Sequence, residues 1–143
     1  MYRSEHDTRL VEALRDTAVA SLPDFWEEYE LLIEADGVVI SVFFMGALAL
    51  YAAKLLQSEE VSDRDKTSRL NVIAEIVERA ATPKTNFLDN IIITGFFESI
   101  ASDHASDRGT RQALKRILGP QTLALLSEIT NPNRKYPVRD PFV

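Results

Sequence analysis

"NIIITGFFESI", residues 90–100, decides the fold, because it reads two ways. Three successive isoleucines and two phenylalanines are the kind of β-branched and aromatic residues that strands favour. Wound as a helix from Phe87 to Ile100, the same stretch puts apolar side chains on almost the whole circumference, the pattern of a buried helix. The exception is Asn90, Thr94 and Glu98, spaced i, i+4, i+8. In a strand that spacing carries no special meaning. In a helix it lines three polar groups along one edge. Gly95 lies just off this edge and, lacking a Cβ, admits a second backbone at close range. The reading is a buried helix over 87–101.

Glu98 then has three readings. It is the wet edge of an otherwise buried helix; or, with Asn90 and Thr94, part of a hydrogen-bonded seam at a groove or partner interface; or a catalytic carboxylate. The third requires a matching base or nucleophile within reach, and the sequence nominates none.

Helical periodicity continues outward in both directions. Residues 4–20 place Leu10, Val11, Leu14, Ala18 and Val19 on one face, with Ser4 as N-cap and Glu5 and Asp7 in the first turn. Ser21 offers a second cap, with Pro23 near the first helical position, for a helix running to about Asp36 that Gly37 stops. The apolar run that follows, 38–56, opens with "VVISVFF", which suits a strand, but no turn residue separates it from "MGALALYAAKLL", which is strongly helical. One long helix is the simpler expectation. Ser62 or Asp63 caps a helix to Ala81, with Leu70, Ile73, Ile76, Val77 and Ala80 inward. "ATPKT" breaks the chain. A short helix over 109–118 buries Leu114, Ile117 and Leu118. "LGP" at 118–120 ends that helix and starts the last one, 120–130. Pro132, Pro137 and Pro141 make 131–143 an extended tail. No internal repeat holds a fixed period.

The expected architecture is all-α: one compact domain over 1–130, a bundle of six or seven helices with 38–56 and 87–101 at its centre. The alternative is α+β, with "VVISVFF" and "NIIITGFF" as strands.

Composition narrows the function. The chain has 143 residues, 45% hydrophobic and 27% charged, ordinary for a globular domain. It has no cysteine, which removes disulfide and thiolate chemistry. The first ten residues, "MYRSEHDTRL", carry charge where a secretory signal needs an apolar core, so the expected location is cytoplasmic. Residues 38–53 are free of charge but as a helix reach only about 24 Å, short of the roughly 30 Å of a bilayer core; no membrane partner is expected. A net charge of −6 disfavours a nucleic-acid footprint.

No motif announces catalysis, a cofactor or a metal. His6 and His104 follow Arg3 and Ala101 at three residues' distance, not the Glu of a di-iron bundle. HExxH, an EF-hand loop, Walker and GxGxxG glycine loops and GxSxG are all missing. The expectation is a non-enzyme without metal or cofactor.

The acidic stretch "PDFWEEYELLIEADG", 23–37, is the most informative surface, since every charge from Asp24 to Asp36 is negative. On a helix, Phe25, Trp26, Tyr29, Leu32 and Ile33 fall on a core face, while Asp24, Glu27, Glu28, Glu30 and Glu34 occupy the opposite arc with Leu31 among them. An apolar residue ringed by acids is the composition of an anchor for a basic partner; the alternative is a solvated face with Leu31 merely exposed or touching a neighbouring helix.

Over residues 70–130 the chain resembles a group of small, uncharacterised bacterial helical proteins. The resemblance rests on the acidic segment Ile76–Glu78, the apolar helix ending in Phe96–Glu98, and Leu118–Pro120. Some members of that group look like immunity proteins of polymorphic toxin systems. The resemblance implies a toxin-binding role and no catalytic residues. The candidate partner-binding residues are thus Glu27, Glu28, Leu31, Glu34, Asn90, Thr94 and Glu98, toward a basic protein such as a toxin; the runners-up are a helical scaffold or regulatory homo-oligomer, and an enzyme with an unrecognised site.

Overall fold

The computed structural model describes residues 4–102 and 107–143; His104 lies outside them. The described chain is all-α apart from one two-stranded ribbon. Its elements are α1 (Glu5–Ser21), α2 (Phe25–Ile33), β1 (Glu34–Ala35), β2 (Val38–Val39), α3 (Ser41–Gln57), α4 (Asp63–Ala81), a composite helix α5 over 86–102, α6 (Arg108–Ile117) and α7 (Pro120–Thr130).

Most helix starts follow from capping chemistry. Ser4, Ser62, Thr85 and Asp107 each accept a hydrogen bond from the backbone N–H three residues on, which satisfies a donor the first helical turn leaves open. Thr85 does double duty: its hydroxyl also donates to buried Asp7 at 3.3 Å, tying the start of α5 to the start of α1.

Two sequence expectations are corrected around residue 37. The acidic helix does not run to Asp36 but ends at Ile33, and the long helix does not start at Val38 but at Ser41. Between them Glu34 pairs with Val39 and Ala35 with Val38, antiparallel. Asp36 and Gly37 both take positive φ, 53° and 75°. That is the two-residue hairpin for which Asp-Gly is the strongest local signal, because its twist matches the strands it joins. Ser21 is not the cap of α2 either. Helix α1 runs through it, and Asp24, at φ 66°, precedes α2 without a side-chain cap.

Helices α3 and α5 form the centre. α5 is α-helical over Asn86–Ile91, opens into a π turn over Ile92–Phe97, and closes again over Glu98–Ser102. The N–H of Glu98 reaches back to the carbonyl of Ile93, five residues away, as a π turn requires. Gly95 faces α3 in this turn: a Cβ there would stand 2.5 Å from the Val42 carbonyl oxygen and 2.7 Å from Met45 Cβ. Gly46 on α3 supplies the other half of the crossing. Around it lie two aromatic clusters, Phe25 with Tyr29, Phe44 and Tyr51, and Phe97 with Phe96 and Phe142.

The segment after α7 has no regular structure, yet its far end is pinned. Phe142 is fully buried, its ring 5.8 Å from that of Phe97. Lys115 meets Asp140 at 3.3 Å, and Val138 N–H donates to the Ile129 carbonyl at 2.7 Å. Val19 and Leu32, expected inside, are exposed.

Candidate partner-binding surface

Helix α2 buries one stripe, Phe25, Tyr29 and Ile33, against the core. Glu27, Glu28, Glu30 and Leu31 face out, and all four are exposed. Leu31 is 94% exposed, which settles it as neither a core residue nor a contact to a neighbouring helix. Glu28 stands 3.4 Å from Lys54, an exposed ion pair of small energetic weight. Glu34 leaves this set. The ribbon turns it away from the helix, and its carboxylate meets Arg15 at 2.9 Å in a partly shielded pair.

The polar stripe of α5 is divided by the π turn. A π turn holds more residues than an α turn, so i+4 spacing no longer tracks one edge. Thr94 and Glu98 border a groove of about 340 Å³ between α2, α3 and α5. Its walls include Leu32, Phe43, Leu50 and the Gly46–Gly95 crossing. Leu32 and Phe43 are 51% and 54% exposed, so α3 is not buried on every side: it leaves a seam open beside α2. Asn90 lies instead in a second depression of about 450 Å³, with Asp89, Ile93, Glu128 and Arg134. Burial pushes the Asp89 carboxyl above its usual range, and the negative Glu128 adds to the shift. Glu98 itself is exposed.

Sequence reasoning missed Glu78. Its carboxylate accepts hydrogen bonds from Gln121 N–H (2.9 Å), Thr122 N–H (2.9 Å) and the Thr122 hydroxyl (3.0 Å), so a side chain of α4 caps α7. Burial raises its carboxyl, but these donors outweigh that and hold it below the ordinary range. The role is architectural: it locks the Ile76–Glu78 segment onto Leu118–Pro120. The usable signal was the absence of Ser, Thr, Asp or Asn before Pro120, which leaves α7 in need of a cap from elsewhere. Among the described residues, no group of three or more His, Asp or Glu side chains gathers as metal ligands, and no helix is long and apolar enough to cross a membrane.

Residues 15–131, from within α1 to the end of α7, match the model of a domain of unknown function, DUF7674. The chain belongs to this family. No curated protein and no solved structure matches it. The DUF7674 region contains α2, the groove and the Glu78 clamp, and leaves out residues 132–143.

Proposed function

We infer that this DUF7674 chain is a protein-binding domain, not an enzyme, and that it docks a basic partner on the outer face of α2. The observation that supports this is Leu31, almost wholly exposed within Glu27, Glu28 and Glu30. At that exposure Leu31 adds almost nothing to the packing of its own chain, so its apolar surface is available to a partner. A partner that covers it gains roughly 1.5–3 kcal/mol from the apolar side chain, while the acids steer cations and speed encounter. The groove at Leu32 and Phe43, edged by Thr94 and Glu98, extends the apolar surface on the side of α3. The resemblance over 70–130 favours a toxin as that partner and the acidic face favours a basic one; on this reading the domain neutralises it in a bacterial cytoplasm.

The test starts from the neighbouring genes: the lack of a toxin gene among them counts against a toxin partner, and where one is found its product is the ligand for the variant pair E27K/E28K and L31A. Reversing the charges should slow association several-fold at low salt, with the difference closing as salt screens it. L31A should speed dissociation. Equal capture by the wild type and both variants overturns the reading.

A further inference from the structure

The two most exposed large apolar side chains among the described residues are Leu31 at 94% and Tyr136 at 75%. They stand in opposite fields. Leu31 is ringed by Glu27, Glu28 and Glu30. Tyr136 is flanked by Arg134, Lys135 and Arg139, all exposed, with Lys135 Nζ 5.5 Å from the tyrosine ring centre. Neither covers the other within one chain, since both remain open. We propose that they meet between copies: the basic strap 134–139 of one chain docks on the acidic face of α2 of the next.

The strap is built to present its side chains. It is tied at one end by Arg134 N–H to the Asn131 carbonyl (3.0 Å) and at the other by Val138 N–H to the Ile129 carbonyl (2.7 Å). Beyond it, Asp140 is held by Lys115 and Phe142 is sunk in the core. A segment ordered before contact loses less freedom on binding. Asp140, the one acid in this segment, is engaged by Lys115, and Arg134 borders the depression that holds Asp89 and Glu128, so Lys135 and Arg139 carry most of the strap's outward positive charge. Tyr and Arg are also the residues that most often anchor interfaces. Because the two surfaces differ, the contact is head-to-tail; it builds open chains, or rings if the rotation closes.

The inference uses the acidic face invoked above, so the test separates the two. Wild type, E27K/E28K and R134E/K135E are followed by light scattering across a concentration series, in about 0.01 M and about 1 M salt, between which the screening length falls from roughly 30 Å to roughly 3 Å. Wild type should exceed the mass of a single chain, at least twofold at the highest concentration in low salt, and revert in high salt. Each reversal alone should abolish this, since like charges then face each other. An equimolar mixture of the two variants should restore it, because each then offers a surface complementary to the other. Monomeric wild type throughout overturns the proposal; so does association that survives either reversal, or a mixture that stays monomeric. R134E/K135E leaves α2 intact. If self-association fails while the basic partner is still held by wild type and lost by E27K/E28K, only this inference falls. If self-association behaves as described but the basic partner ignores E27K/E28K, only the earlier reading falls.

Discussion

The carboxylate of Glu78 fills the space directly over Gly119: a Cβ at residue 119 would lie 2.5 Å from Glu78 Cδ. The glycine of "LGP" is therefore required by a neighbour and not by its own backbone, whose φ of −77° any residue adopts. Gly119→Ala must displace the side chain that caps α7.

Glu78→Gln should cost about 1–3 kcal/mol, because one acceptor oxygen of a charged group becomes an NH₂ facing backbone donors. Chemical denaturation measures it. Gly119→Ala should be costly in the wild type and much cheaper on a Glu78→Ala background, the non-additivity of side chains that share a space. Since the folded carboxyl titrates below its unfolded value of about 4.3, the stability Glu78 contributes is complete above that pH. It is lost as pH falls through the lower folded value, and the Gln variant should lack this acid-range slope.

Asp89 should behave in the opposite sense. Burial, with help from Glu128, raises its folded titration, so its ionised form is held at a cost once pH passes above the ordinary range. Asp89→Asn should raise the melting temperature at pH 7. The gain should shrink as pH falls toward about 3.9, where aspartate protonates in the unfolded chain as well. A gain that does not change with pH would remove the charge explanation.

At the central crossing the two glycines should not be equivalent. Gly95→Ala drives a methyl into the Val42 carbonyl and Met45 Cβ, so helices α3 and α5 must separate, at about 1–3 kcal/mol or more. Gly46→Ala meets chiefly the Ser99 hydroxyl at 2.9 Å, which can rotate away, and gains roughly 0.5–1 kcal/mol of helix preference. Thermal melts of the two variants give the ranking.

Two residues apart on α2, Leu31→Ala should change stability by less than about 0.5 kcal/mol, while Ile33→Ala, fully buried, should cost about 2–5 kcal/mol. Equal melts for Leu31→Ala and wild type leave its exposed side chain free to act in binding alone.

The sequence disclosed what short-range physics controls. The inward stripe of α4, Leu70, Ile73, Ile76, Val77 and Ala80, is buried as its spacing dictates. Gly95 permits the close approach that its lack of a Cβ allowed. The hairpin was equally legible: Asp36-Gly37 is a hairpin signal, but read as a helix stop it sent Glu34 to the wrong surface. Length misled there, because two-residue strands leave almost no alternation to see. The π turn was not legible. Its extra residue per turn is stabilised by the fit against α3, so the periodic reading of Asn90, Thr94 and Glu98 aligned three groups that the fold divides between two depressions. Glu78 capping α7 joins residues more than forty apart, and a single sequence carries no trace of that pairing beyond an uncapped helix.

Phe142 gives the chain a direction of completion. Its slot beside Phe97 is made by residues that precede it in the chain, so a helical body formed without it has one wall of its interior missing. A nascent chain arrested with residue 130 just clear of the exit tunnel should bind a hydrophobic dye and yield to protease near α6, and one arrested with Phe142 clear of it should do neither. The residues that follow the last helix are the ones that shut the structure.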